Sequence, residues 1–308
     1  MSNDRVAVIT RTRNRPLLLA RAVASVLGQT HDDWVHVIVN DGGDPAAVTA
    51  LVERHSAAYR GRMQVLHHAV PAGMEGASNA GIAASQSAWL AVHDDDDSWH
   101  PAFLARTLAA IRAHPLPECQ GGIAWTTRVV ERIEGEQVRT LRRISYNGGL
   151  RTVELWRLLQ KNLFPPISFV FARAAAVAAG GFDPALPVLG DWDFNLRFCA
   201  RFEIAVVPEH LAFYHHRPPG ANAGYGNTVV DAMAQHRDVR SWLLNRWLRQ
   251  DLDAGRLGLG VLAALAEEAD ILHRTRPSAW AWRAVRRGWQ EMAARARPLM
   301  PSGVPRIR

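Results

Sequence analysis

Within its first 92 residues the chain repeats one unit three times, a short apolar run rich in β-branched residues followed by a polar loop and a helix-compatible stretch. Residues 6–10 lead through 11–15 into 16–27, where the leading Pro16 suits a first helical turn. Residues 35–39 stop at Asn40-Asp41-Gly42-Gly43, and 46–55 again read as helix. Residues 63–67, 76–85 and 88–92 supply a third strand, a third helix and a fourth strand. This alternation implies an α/β fold with a mostly parallel sheet and helices on both faces, and ligands bind beyond the carboxyl ends of such strands. The loops 11–15, 40–44 and 94–97 therefore meet in one crevice.

The fourth strand runs out into His93-Asp94-Asp95-Asp96-Asp97-Ser98-Trp99. Like charges ~4 Å apart repel by about 1 kcal/mol even in water and by more in a half-buried cleft, so four carboxylates call for a cation or several donors. Hard ions such as Mg²⁺ or Mn²⁺ take carboxylate oxygens and complete their shell with a substrate phosphate, which points to a nucleotide. Alternation along an extended segment puts Asp94 and Asp96 on one side and Asp95 and Asp97 on the other. The bland alternative is a solvated turn in which Asp97 or Ser98 caps a helix over 102–114. The meeting of three polar loops favours the metal.

From Gly121 the pattern changes. Residues 123–131 and 137–142 read as an antiparallel pair around Glu134-Gly135, 152–160 as a helix and 168–171 as a strand after Pro165-Pro166. Gly190-Asp191-Trp192-Asp193 enters a helix, 204–207 and 211–214 read as two short strands, and everything from Thr228 onward is helical. The sheet is thus mixed, with a main domain over 1–222 and a Trp/Arg-rich helical extension over 223–308. No apolar run is long enough to span a bilayer, and the start of the chain shows no leader, so a cytoplasmic location is expected. Cys119 and Cys199 form neither a metal spacing nor a redox pair, which makes them reduced core thiols. Net charge is +7, but residues 274–308 hold nine Arg against Glu291 alone, leaving 27 basic and 28 acidic side chains in 1–273. A nucleic-acid groove along the main domain is not expected.

Taken in order, Val8-Ile9-Thr10-Arg11-Thr12-Arg13-Asn14-Arg15-Pro16, Ser25-Val26-Leu27-Gly28-Gln29-Thr30, Val37-Ile38-Val39-Asn40-Asp41-Gly42-Gly43, Asn79-Ala80-Gly81, the acid run and Gly190-Asp191-Trp192-Asp193 match a known pattern. Over about residues 5–220 the sequence resembles the inverting family 2 glycosyltransferases. The resemblance implies the GT-A fold, a Rossmann-like nucleotide-diphospho-sugar transferase architecture. It also implies metal-dependent transfer from a nucleotide-sugar donor, a UDP-sugar by preference, to a hydroxyl of a glycan or lipid-linked acceptor in surface polysaccharide synthesis. Asp94-Asp95-Asp96 looks like the family's Asp-x-Asp motif, with Asp94 and Asp95 on the donor and Asp94 and Asp96 on Mn²⁺ or Mg²⁺. Asp41 matches the acid that binds the base, where accepting a ring N–H favours uracil or thymine, and Thr10, Arg11 and Arg13 line the first loop. Asp191 matches the general base, with Asp193 as its competitor within the motif. His215 or His216 matches a metal-ligand position, and a histidine packed beside Tyr214 is an equal alternative.

Three positions depart from the family. Arg11 stands where Pro is frequent, and Ser78 stands where Arg or Lys is, a lost cation that Arg11, Arg13 or Arg15 could replace. Gly190 replaces the usual Glu, which leaves room for the acceptor. Two other functions stay open: a nucleotidyltransferase, for which no Gly-rich pyrophosphate loop follows residues 6–10, and a non-catalytic module that only binds nucleotide-sugar and metal.

In the extension, Trp282, Val285, Trp289 and Met292 recur at helical spacing over 278–296, with Arg283, Arg286, Arg287 and Arg297 off that stripe. Such a helix suits the headgroup region of an anionic membrane on the inner face, where each basic side chain contributes ~1 kcal/mol. The same stripe could instead pack on the helices of 228–273 or on a second subunit. Truncation after His273 is expected to remove salt-sensitive binding to anionic vesicles and to spare donor hydrolysis. Full-length protein that ignores such vesicles at low salt would make the tail a packing element.

Overall fold

The computed structural model describes residues 4–135, 137–217, 233–255 and 258–266. The Trp/Arg stripe of 278–308 lies outside the described residues.

The first half follows the repeated unit: β1 (Val6–Thr12), α1 (Pro16–Leu27), β2 (Trp34–Asp41), α2 (Pro45–Arg54), α3 (Ser56–Tyr59), β3 (Met63–His68), α4 (Gly73–Ala83) and β4 (Trp89–Asp94). The second half supplies β5 (Ser98–Trp99), α5 (Phe103–Arg112), β6 (Cys119–Glu134), β7 (Gln137–Ser145), α6 (Leu155–Gln160), β8 (Phe169–Ala172), α7 (Arg173–Ala178), α8 (Gly190–Cys199) and β9 (Glu203–His216). The sheet order is β3-β2-β1-β4-β8-β6-β9-β5, with β7 paired to β6. β1 to β4 are mutually parallel, and β8 runs antiparallel to both β4 and β6. The expected mixed, mainly parallel sheet is therefore present.

β1 shows why its apolar run is continuous. Val6 and Val8 pack into one core layer, Ala7 and Ile9 into the other, and all four are fully buried. A strand covered on both faces has no solvent side to make polar. The layer holding Ile9 also gathers Phe169, Phe171, Phe182, Phe194 and Phe198, so α8 is anchored by its aromatic face beneath β8. Leu243 and Trp247 of the helix Met233–Asp253 join this layer, the Trp247 ring lying 5.7 Å from Trp192.

Three local expectations change. α5 begins at Phe103 with no side-chain cap; Ser98 belongs to β5, and the Asp97 carboxylate accepts from the His215 backbone N–H at 2.8 Å. Asp97 thus ties the acid loop to β9 and caps nothing. The two short strands expected at 204–207 and 211–214 are one strand, β9. Its register against β6 slips between Val207 and Ala212, where Pro208, lacking an N–H, cannot continue the ladder. α4 starts at Gly73, earlier than expected, because the Asp41 carboxylate accepts from the N–H groups of Ala72 (2.7 Å) and Gly73 (3.0 Å).

Cys119 and Cys199 are free, and burial pushes both thiols up. Among the described residues no helix is long and apolar enough to cross a membrane.

α4 lies close on β1 because Gly81 has no side chain: a Cβ there would collide with Ile9 and come within 3.2 Å of Val39. Gly81→Ala is expected to cost about 1–3 kcal/mol of unfolding free energy by overpacking, measured by urea denaturation. A neutral result would mean that α4 can lift without penalty.

Candidate active site

The carboxyl ends of β1, β2 and β4 open into a cleft of about 450 Å³ whose lining includes Arg11, Arg13, Asp41, Asp94, Asp96 and Asp191. All three polar loops reach it. Asp94 and Asp96 line the cleft, while Asp95 and Asp97 point inward and are fully buried. The Asp95 carboxylate accepts from Thr12 Oγ1 at 2.7 Å and from Arg15 Nε at 3.1 Å, so its expected place on the donor is not where the structure puts it. Thr10 likewise lies below the cleft, its hydroxyl bonded to the buried His36 at 2.8 Å, and Thr12 is the threonine that reaches the lining.

Arg11 connects two sides of the site. Its Nε and Nη2 hold Asp94, its Nη1 donates to Met74 O and Ser78 Oγ at 3.2 Å each, and it approaches Glu75 at 3.8 Å. A guanidinium therefore rests on Ser78, where the sequence lacks a cation. Arg13 is exposed at the rim and makes no ion pair among the described residues, which leaves its charge for a ligand.

Beneath the acids is a buried charge network. Glu131 of β6 accepts from Arg21 (2.8 Å), Arg217 (2.7 Å) and His215 Nδ1 (2.7 Å), and Arg217 also holds Asp96. Burial opposes the charge on Glu131, but the hydrogen bonds of His215 and Arg21 outweigh it and bring the acid down to about 2. Burial likewise works against the charge on Asp96, and Arg15 and Arg217 hold it below the usual carboxylate range. Asp97, buried beside Asp96 without such a cation, is pushed well up.

The two histidines separate. His215 commits Nδ1 to Glu131 and Nε2 to Ser98 (2.9 Å), and burial keeps it neutral, so neither nitrogen is available to an ion in this arrangement. His216 packs edge-on against Tyr214, with centroids 4.2 Å apart, and its Nε2 is buried without a hydrogen-bond partner. Burial, with Arg128, lowers it to about 4, which leaves the ring neutral. Among the described residues no three His, Cys, Asp or Glu side chains converge as a metal cage. The donor set nonetheless suits a hard divalent ion held by Asp94 and Asp96 with substrate phosphate, since the second Asp94 oxygen meets no protein donor among the described residues.

Asp191, also in the lining, sits in the first turn of α8 and accepts from Asn162 Nδ2 at 2.7 Å. Burial raises its proton affinity, with Asp94 adding to the effect. Asp193 instead turns into the protein, paired with Arg197 at 2.6 Å and Arg246 at 3.5 Å. Gly190 opens no room, because the Glu75 side chain from α4 fills the space beside it. Glu75, Glu131, Arg21 and Arg217 all escape a reading of the sequence. Only the position of Glu131, an acid on the buried side of an alternating strand, carries a local signal.

Residues 7–175, more than half of the chain, match the family described as Glycosyl transferase family 2. The uncharacterized glycosyltransferase alr2836 of Nostoc sp. is 28% identical over 229 residues, 71% of this chain and 66% of that protein, so the chain spans just under two thirds of that relative. The PGL/p-HBAD biosynthesis glycosyltransferase of Mycobacterium bovis is 25% identical over 232 residues, 75% of this chain and 82% of its own. S. aureus TarS 1-349 in complex with UDP has a TM-score of 0.56 at 15% identity, covering 68% of this chain and 60% of that one. GalNAc-T7 with UDP, GalNAc and Mn²⁺ has a TM-score of 0.53 at 17% identity, covering 70% and 44%. At such identities the likeness is one of fold, the GT-A fold.

The network at Glu131 generates a pH prediction. A carboxyl held at about 2 against an ordinary 4.5 stabilises the fold fully above 4.5 and loses that contribution as pH falls toward 2. The loss for this group is roughly 3 kcal/mol. Glu131→Gln is therefore expected to lower stability at neutral pH and to flatten the acid limb between pH 4.5 and 2, followed by urea denaturation at each pH. An acid limb as steep as that of the wild type would place the titrating group elsewhere.

Proposed function

The chain belongs to glycosyl transferase family 2, a family of transferase enzymes. From that membership we propose that it moves a sugar, with inversion, from a nucleotide-diphosphate donor to a hydroxyl of a glycan or lipid-linked acceptor. The observation that carries this reading is that Asp191, Asp94, Asp96, Arg11 and Arg13 all line one cleft.

Asp41 belongs to the lining of the cleft and is the candidate acceptor for a base N–H; the UDP bound by TarS and by GalNAc-T7 makes a uridine donor the first choice. Arg13, and Arg11 with its remaining charge, would meet the diphosphate. Asp94 and Asp96, with His216, which feels the charge of Asp96 and whose Nε2 has no hydrogen-bond partner among the described residues, would hold Mn²⁺ or Mg²⁺. Such an ion, when bound, supplies charge compensation for the departing phosphate. Asp191 takes the acceptor hydroxyl's proton: its raised proton affinity suits a base, and Asn162 fixes the orientation of its carboxylate. Transfer in polysaccharide or glycolipid synthesis is the role assigned here, in keeping with the biosynthesis that the mycobacterial relative's name states. A catalytic unit of 1–222 with a 223–308 extension that docks it on the inner membrane face completes the reading.

Incubation with Mn²⁺ and a panel of nucleotide sugars tests it: metal-dependent release of UDP from one UDP-sugar is expected. Pyrophosphate formed from a sugar phosphate and UTP would overturn the transferase assignment. Asp191→Asn keeps the shape but cannot take a proton, so donor binding should persist while transfer falls by ~10² to 10⁴. If Asp193→Asn shows that pattern and Asp191→Asn does not, the base is misassigned.

A further inference from the structure

Gly190 adjoins Asp191, and a Cβ built on it would land on the Glu75 side chain, whose Cγ, Cδ and Oε1 are the nearest atoms. The space a side chain at 190 would take is thus filled by a carboxylate from α4. Glu75 lies in the first turn of that helix, whose N-terminus is held by Asp41. It is 4% exposed, it belongs to the lining of the cleft, and its Oε2 is buried with no hydrogen-bond partner. Arg11 comes to 3.8 Å from it, and that guanidinium is committed to Asp94.

A buried carboxylate oxygen without a hydrogen bond is costly, and packing alone would be served as well by an apolar side chain of similar volume. Burial accordingly drives Glu75 up to about 7, against the pull of Arg11. The missing donors must then come from whatever fills the cleft. Arg11 and Asp41 both belong to its donor side, so the group in reach is the sugar carried by the nucleotide. We propose that Glu75 is a sugar-recognising residue whose carboxylate accepts a hydrogen bond from a hydroxyl of the donor's sugar, in the space left by Gly190. The assignment rests on the cleft being a nucleotide-sugar site.

The test compares binding of UDP with binding of the UDP-sugar that the panel selects, by calorimetry with Mn²⁺, in wild type, Glu75→Gln, Glu75→Ala and Glu75→Ala/Gly190→Glu. Loss of a hydrogen bond to a charged group should weaken UDP-sugar binding, and its hydrolysis, roughly ten- to a hundredfold in Glu75→Ala, with UDP binding unchanged. The double variant returns a carboxylate to the same space from α8 and should recover part of the loss. Gly190→Glu alone places two carboxylates in one volume and should bind the UDP-sugar poorly. Should Glu75→Ala unfold, Glu75→Gln keeps the volume but offers a neutral acceptor in place of a charged one, so a smaller loss of UDP-sugar binding with UDP binding unchanged is expected. Wild-type UDP-sugar affinity in both Glu75 variants would overturn the proposal, as would equal loss of UDP and UDP-sugar binding, which would make Glu75 a prop for Arg11. Failure of the wild-type protein to bind UDP would instead remove the nucleotide-sugar reading beneath it.

Discussion

Compensating the buried charge at the end of β4 constrains everything around the cleft. Four consecutive acids cannot be desolvated together unless cations are brought to them. Here the cations come from separate parts of the chain: Arg11 and Arg15 from the β1 loop, Arg21 from α1, and Arg217 from the end of β9. Glu131, near the middle of the network, binds the last two of these and His215 besides. The cluster therefore fixes α1, β4, β6 and β9 relative to one another at the point where the cleft opens.

The division of labour among the acids follows from which of them the cations reach. Asp95 and Asp97 turn inward and act as structural acceptors, one for Thr12 and Arg15, the other for the backbone of β9. Asp94 and Asp96 remain at the lining. Arg217 has already placed a positive charge on Asp96 before any ligand arrives, so an ion held there would have to share the carboxylate with a guanidinium. Affinity for metal should then depend on the phosphate that accompanies it, in keeping with the habit of Mg²⁺ and Mn²⁺ of using substrate oxygens. Asp191, half-buried, and Glu75, buried, have little compensation, and both are pushed toward the protonated form. Asp96 thus holds its charge, while Asp191 and Glu75 can give theirs up.

Much of this was legible in the sequence. Period and punctuation identified the βα units of the first half, and the alternation of side chains separated Asp94 and Asp96 from Asp95 and Asp97. Local chemistry read less well wherever a residue's partner came from far along the chain. Thr10, assigned to the donor loop, is two residues too deep and bonds His36; Asp97, read as a cap, serves β9; Gly190, read as open space, is filled by Glu75.

The chain by itself therefore determined the class of fold and the crevice on which the polar loops converge, because strand and helix periods and the loops ending them are properties of short segments. Tertiary structure alone decided which acids are compensated, which histidine is spent on Glu131, and which side chain stands beside Asp191. Those outcomes depend on distances between residues such as Glu75 and Gly190, or Asp96 and Arg217, that lie more than a hundred positions apart in sequence. No local pattern encodes such a pairing; burial and electrostatics select it only once the sheet has brought both partners to one end.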